Sequence, residues 1–219
     1  MRIAVVASGL SVPSSTRLLA DRLAAATAGR VDGAEVAVVE LRELAVEIAN
    51  HLTNGFPGPR LAAAIETVTG ADGLIVVTPV FSASYSGLFK SFFDVLEPEA
   101  LAGTPVLIGA TGGTPRHSLV LEHALRPLFA YLRAVVVPTG VYAASQDWGT
   151  EGDGYADGLA ERVDRAATEL AALLSPAAGS RGAPRAAGAD RRAEADEVVP
   201  FAERLAALGI DPPADRRGG

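Results

Sequence analysis

The 219-residue chain contains no cysteine. This absence excludes disulfides, thiolate nucleophiles, redox-active thiol pairs and cysteine-ligated metals. The chain has three histidines, and none of them stands in an HExxH arrangement. We therefore expect no metal site, and any electron chemistry must come from a bound cofactor.

The chain also has little positive charge and no long apolar run. Its formal net charge is −7, which argues against a nucleic-acid partner. No apolar run reaches the ~20 residues that a membrane span needs. Residues 1–6 open directly into a strand-like run, without the pattern of a signal peptide. We expect a cytoplasmic protein without a membrane partner.

What the chain does have is a regular alternation of apolar runs and helical patterns. The predicted strands are residues 3–7, 35–41, 73–77, 105–110 and 134–139. The predicted helices are residues 16–28, 60–68, 87–96, 118–132 and 155–174, and residues 42–59 are predicted to form a long loop. Strands that are apolar throughout are typical of a parallel sheet covered on both faces.

This alternation predicts an α/β fold with a five-stranded parallel sheet of flavodoxin-like order 2-1-3-4-5 and helices on both faces. A dinucleotide-binding Rossmann fold is disfavoured, because the loop after the first strand lacks GxGxxG. The predicted helix 87–96 carries more apolar side chains than one contact with the sheet would use. We therefore expect a homodimer or a homotetramer.

A change in composition predicts the domain boundary. Residues 1–175 form the α/β domain, and residues 176–219 form a flexible linker followed by a short amphipathic C-terminal tail. Within the tail, residues 198–208 carry the apolar positions. They would either dock on the body or a neighbouring subunit, or remain a disordered tail.

Three unusual loops follow the first, third and fourth predicted strands, which meet where the strand order reverses. Residues 8–17 place hydroxyls at a helix N-terminus, residues 78–87 combine aromatics with hydroxyls, and residues 111–115 are glycine-rich. Each loop has a plain structural explanation: helix capping, an ordinary βα connection and a tight turn. Together they favour a flat ligand with one phosphate, and FMN fits that description.

At these loops the sequence resembles the NADPH-dependent FMN reductase family. The matching stretches read TPVFSASYSGLFKSFFD at 78–94 and ATGGTPRHSLVLEHALRP at 110–127. The branch that they resemble provides reduced flavin to two-component monooxygenases, including those acting on alkanesulfonates. The resemblance implies an NAD(P)H:FMN oxidoreductase that uses FMN, takes hydride from NADPH or NADH, and has a flavin-dependent monooxygenase as partner.

The resemblance also implies the cofactor-binding residues. The phosphate is assigned to Ser8, Ser14, Ser15 and Thr16; the ring to Pro79, Val80, Phe81 and Ser82; and the pyrimidine end to Thr111, Gly112 and Gly113. The first loop lacks an arginine that the family uses, and Arg17 could replace it. No catalytic residue is assigned, because hydride transfer between stacked rings needs no side-chain acid or base.

Several alternatives stay open at the level of sequence. One is a quinone or azo reductase with bound FMN, and another is a non-catalytic flavodoxin-like electron carrier. The ring-side loops are hydroxyl-rich rather than acidic, which favours the enzyme. Arg116 could meet a nicotinamide 2′-phosphate or be solvated, and Trp148 could cover a partner subunit's site or anchor its own loop.

Overall fold

The computed structural model describes residues 1–149 and 154–175. The predicted linker and the amphipathic stretch at 198–208 lie outside the described residues. The strands are β1 (Arg2–Ala7), β2 (Glu35–Glu40), β3 (Gly73–Phe81), β4 (Ser84–Tyr85), β5 (Pro105–Gly112), β6 (Val135–Val136) and β7 (Val141–Ala144). The α-helices are α1 (Ser15–Ala28), α2 (Ala45–Asn54), α3 (Pro59–Thr69), α4 (Gly87–Asp94), α5 (Arg126–Tyr131) and α6 (Gly154–Leu174).

The sheet confirms the predicted flavodoxin-like α/β fold, with two differences in the strands. Its parallel order is β2-β1-β3-β5-β6, while β7 also pairs with β5 and β4 pairs antiparallel with β3. The fifth position is therefore filled by two segments rather than by one strand at 134–139. Pro138 lies between them, and its missing amide cannot contribute to the ladder.

Alternate residues of the central strands face two separate apolar clusters. In β1, Ile3 and Val5 pack with helices α1 and α6, whereas Ala4 and Val6 pack with the opposite layer of helices. This confirms that the apolar runs of the central strands are buried on both faces. Strand β2 differs, because it lies at the sheet edge and leaves Val36 and Val38 exposed.

The prediction of a long loop over residues 42–59 is wrong. A 3₁₀ turn at Leu41–Leu44 leads into helix α2. Leu41, Leu44 and Ile48 are buried, and their spacing is that of one helical face. Gly55, at φ 80°, ends the helix in the left-handed conformation that glycine tolerates, so it is a C-cap and not a sign of irregular structure.

Helix α4 uses its apolar surface within its own chain. Phe89, Phe92 and Phe93 are fully or almost fully buried. The ring centroid of Phe93 lies 4.8 Å from that of Phe89 and 5.0 Å from that of Phe129 in α5. These three aromatic side chains are therefore covered without a partner chain, and an oligomer would use a surface other than this buried face.

The predicted helix at 118–132 divides into shorter pieces. A 3₁₀ turn at Pro115–His117 is followed by a π-helical turn at Leu121–Leu125 and then by α5. The change from π to α geometry lies beside Pro127, whose nitrogen cannot donate to a preceding carbonyl. Across the described ranges, no helix combines the length and the apolar character that a membrane crossing requires.

Strands β3 and β4 form a tight hairpin whose turn residues are strained. Ser82 and Ala83 form the two-residue connection, with φ of 48° and 65°. Such turns favour Asn-Gly, because the left-handed region costs a residue with a Cβ about 1–2 kcal/mol. We expect the S82N/A83G double variant to be more stable than the wild type by about 1 kcal/mol in urea unfolding.

The control repeats the alanine-to-glycine change of this variant at a position with ordinary helical geometry. Ala62 is exposed on α3, where alanine to glycine costs about 1 kcal/mol. A62G should therefore lower the free energy of unfolding while the hairpin variant raises it. A hairpin variant that is destabilised as much as A62G would show that the turn carries no strain.

Candidate functional site

The carboxyl ends of the parallel strands surround a cavity of about 340 Å³. It is lined by Ser15, Pro79, Val80, Phe81, Thr111, Gly112, Gly113, Ser145 and Trp148. The first seven of these residues are among the eleven that the sequence assigns to the cofactor. The topology brings them together because β1, β3 and β5 are hydrogen-bonded neighbours that run in the same direction.

One wall of the cavity is the start of helix α1. Ser14 is the N-cap, and its Oγ accepts a hydrogen bond from the Arg17 amide at 3.2 Å. The amides of Ser15 and Thr16 have no acceptor within the helix, as is general for a first turn. Free amides, the Ser15 hydroxyl and the positive end of the helix dipole together suit an anionic group such as a phosphate.

Ser8 lies beneath this wall rather than in the cavity lining. Its side chain is completely buried, and its Oγ donates to the Val77 carbonyl at 3.3 Å. The Ser86 hydroxyl donates to Ser8 at 3.3 Å and caps helix α4 by accepting from the Phe89 amide at 3.2 Å. This chain of hydroxyls ties the end of β1 to β3 and to the start of α4.

A second buried hydroxyl pair joins two of the predicted loops. The Oγ1 atoms of Thr16 and Thr111 are 2.8 Å apart, and both side chains are buried. The pair fixes helix α1 to the end of β5, across residues that are far apart in the sequence. Thr16 thus sets the position of the phosphate-side wall relative to the glycine-rich loop.

The ring-side wall is the end of β3 and its hairpin. Pro79, Val80 and Phe81 line the cavity, and Phe81 remains 48% exposed. Ser82 sits at the hairpin tip and is not among the lining residues. The wall therefore offers a mainly apolar edge, which suits one side of a flat ring.

Two glycines of the glycine-rich wall differ in the space around them, since Gly112 is crowded and Gly113 is not. A Cβ on Gly112 would lie 2.1 Å from the Tyr142 hydroxyl, which donates to the Thr114 carbonyl at 2.8 Å. Burial raises the pKa of the Tyr142 phenol, and the nearby charge of Asp147 raises it further. A Cβ on Gly113 would meet no atom within 4 Å, so its backbone is accessible from the cavity.

The remaining lining residues, Ser145 and Trp148, are absent from the sequence assignment. Both belong to a 3₁₀ turn, Ser145–Trp148, that directly follows β7. The apolar run Val141–Ala144 is the signal that could have located them, because a further parallel strand beside β5 brings its following turn to the same edge.

Two arginines near the site have different surroundings. Arg17 lies outside the lining and forms ion pairs with Asp21, at 2.8 Å, and with Glu40. The hydrogen bond that Arg17 donates to Asp21 raises the pKa of the Arg17 guanidinium, and charge attraction from both carboxylates adds to it. Arg116 is exposed on the turn Pro115–His117.

The geometry fits a flat ligand that carries one phosphate. The α1 terminus provides anion donors, the β3 wall provides an apolar edge, and the backbone at Gly113 faces open space that a ligand can approach. No carboxylate is among the lining residues, so the charge of a phosphate is not opposed at close range.

Comparison with known proteins gives the family. A family model described as NADPH-dependent FMN reductase matches residues 1–149. The chain belongs to this family. The resemblance inferred from residues 78–94 and 110–127 is thereby confirmed.

Individual members of the family match over most of their lengths. An FMN reductase (NADPH) of Pseudomonas aeruginosa is 38% identical over 176 residues, which cover 79% of this chain and 92% of the relative. The NADH-dependent FMN reductase SfnF of Pseudomonas putida is 38% identical over 144 residues, 66% of this chain and 77% of the relative.

A solved structure supports the fold independently. The crystal structure of an oxidoreductase from Corynebacterium diphtheriae superposes with a TM-score of 0.75 and is 46% identical. The match covers 79% of this chain and 96% of that protein. The flavodoxin-like arrangement is thus shared along nearly the whole relative.

Proposed function

We propose that this protein transfers hydride from NADPH or NADH to FMN. The observation that carries the proposal is the cavity at the strand ends, with free helix N-terminal amides at one side and an open glycine backbone at the other. Membership of the NADPH-dependent FMN reductase family supports it. Relatives named after NADPH and after NADH both match, so the proposal includes both donors.

The eleven residues assigned from sequence form the proposed FMN site, with two kinds of task. Ser15 and the first amides of α1 bind the phosphate, Pro79–Phe81 contact the ring, and the Gly113 amide faces the pyrimidine end. Ser8, Ser14 and Thr16 hold these groups in place through their hydrogen bonds. Ser82 shapes the hairpin that carries Phe81.

Bound FMN supplies the hydride-accepting ring. The protein's contribution is orientation, since the two reacting rings must be held in contact and no proton donor is required for the transfer. An amide donor near the pyrimidine stabilises the negative charge that the ring gains on reduction. The site therefore needs rigid walls more than it needs an acid or a base.

We further propose that the reduced flavin is passed to a flavin-dependent monooxygenase. The support is the resemblance of residues 78–94 and 110–127 to reductases of two-component systems. A homodimer or homotetramer in the cytoplasm is proposed with it, formed through a surface other than the buried face of α4. Sedimentation at micromolar concentration measures the oligomeric state directly.

Steady-state oxidation of the nicotinamide tests the main proposal. We expect NADPH or NADH to be oxidised only when flavin is added, with at least tenfold higher kcat/KM for FMN than for riboflavin. The reason is that each hydrogen bond to the charged phosphate contributes about 1.5–3 kcal/mol. S15A should lose part of this preference and leave the riboflavin rate unchanged. Equal rates with the two flavins would contradict the phosphate assignment.

A further inference from the structure

We propose that Trp148 is a wall of the flavin site that contacts bound FMN on its phosphate side, and that Arg22 and Asp147 position it. The inference rests on the proposed function, since it assigns a further residue to the same site. Trp148 lies in the turn after β7 and lines the cavity together with Ser15.

The Trp148 indole lies beside helix α1, at the end of the cavity where the phosphate is proposed to bind. The Arg22 guanidinium carbon lies 5.0 Å from the centroid of the Trp148 ring. Ser15 and Arg22 are at positions i and i+7 of α1, so they lie on the same helix face. The indole therefore lies alongside α1 at Arg22, and it lines the cavity together with Ser15 of the first helical turn.

The turn that carries Trp148 is fixed by a buried carboxylate. Asp147 is 7% exposed and accepts a hydrogen bond from the Ala144 amide at 2.7 Å. Arg162 of helix α6 lies 3.4 Å from the same carboxylate and also donates to the Tyr142 carbonyl at 3.3 Å. The turn is thus attached to β7 on one side and to α6 on the other.

These contacts give the indole a defined orientation while leaving part of it at the cavity. Trp148 is half-buried and packs against the apolar cluster beneath α1 and α6. A guanidinium stacked on an aromatic face restricts its rotation. An indole that served only as a loop anchor would not need to line the cavity. A rigid aromatic wall contributes contact area to a ligand with little loss of side-chain entropy.

The chain has one tryptophan, so its emission reports on this wall alone. We expect saturating FMN to quench most of the tryptophan fluorescence. W148A should raise the Kd for FMN at least tenfold, as measured by equilibrium dialysis, whereas W148F should raise it less than threefold. The Kd from quenching and the Kd from dialysis should agree for the wild type.

The positioning role is tested by a double-mutant cycle. R22Q and D147N should each raise the Kd for FMN about threefold to tenfold in the wild-type background, and R22K should raise it less than R22Q because lysine keeps a cation near the ring. In the W148A background, R22Q should have no further effect, because the residue through which Arg22 acts is gone. Additive effects in that background would overturn the positioning role.

Two failures can be told apart. If the wild type neither binds FMN in dialysis nor oxidises NAD(P)H with added flavin, the proposed function is wrong. If the wild type does both, but a folded W148A binds FMN like the wild type, the assignment of Trp148 is wrong. Circular dichroism establishes that the variants fold. If W148A does not fold, R22Q decides the question, because an indole that makes no contact with FMN would leave the Kd of that variant unchanged.

Discussion

Replacing Gly112 with alanine should destabilise the protein by about 2–4 kcal/mol and lower FMN affinity at least tenfold. The new Cβ would lie 2.1 Å from the Tyr142 hydroxyl, at a strand end where the backbone of Gly112 is paired with Ala144 of β7. Either Tyr142 gives up its hydrogen bond to the Thr114 carbonyl, or the glycine-rich wall moves. Urea unfolding and equilibrium dialysis with FMN measure the two effects.

Two further variants make this test specific. G113A adds the same methyl group one residue later, where no atom lies within 4 Å, and should leave the free energy of unfolding nearly unchanged. Y142F removes the hydroxyl that the new Cβ would meet, and the nearest remaining ring atom is then at 3.2 Å. G112A/Y142F should therefore be more stable than G112A alone. Equal losses for G112A and G113A would show that the contact with Tyr142 is not the cause.

Replacing Gly9 with alanine should lower FMN affinity at least tenfold while leaving riboflavin affinity nearly unchanged. A Cβ at Gly9 would lie 2.0 Å from the Ser14 Oγ, which caps helix α1. Loss of such a cap costs about 1 kcal/mol of helix stability. It also displaces the amides that would bind the phosphate, and riboflavin has no phosphate to lose. Dialysis with each flavin gives both affinities.

The rescue variant for G9A removes the Ser14 side chain, with which the new Cβ would collide. In G9A/S14G the Ser14 side chain is absent and the nearest remaining atom is the Thr16 Cβ at 3.2 Å. Glycine at an N-cap costs only a few tenths of a kcal/mol relative to serine. FMN affinity should return to within about threefold of the wild type. G87A is the control for an added methyl group, because Gly87 has open space around it. A comparable loss of riboflavin affinity in G9A would contradict an effect confined to the phosphate end.

Much of the candidate site can be predicted from the sequence because its place in the fold depends on topology. Apolar runs predict the strands, and parallel strands bring their following loops to one edge, so the three loops and seven of the lining residues were foreseeable. The direction in which each side chain points could not be predicted from the sequence. Ser8 and Thr16 were assigned to the phosphate, yet their hydroxyls bond to Val77 and Thr111, whose positions depend on strands far away in the sequence.

Local hydrophobic patterns and contiguous motifs are therefore enough to predict the class of fold, the family and the edge of the sheet at which the candidate site lies. Packing between helices and sheet sets which of the two layers each helix covers, buries the α4 aromatics against Phe129, and brings Ser145 and Trp148 to the cavity. These arrangements could not be predicted, because side-chain orientation depends on packing between segments that are distant in the chain, and such packing leaves no periodic signal in either segment.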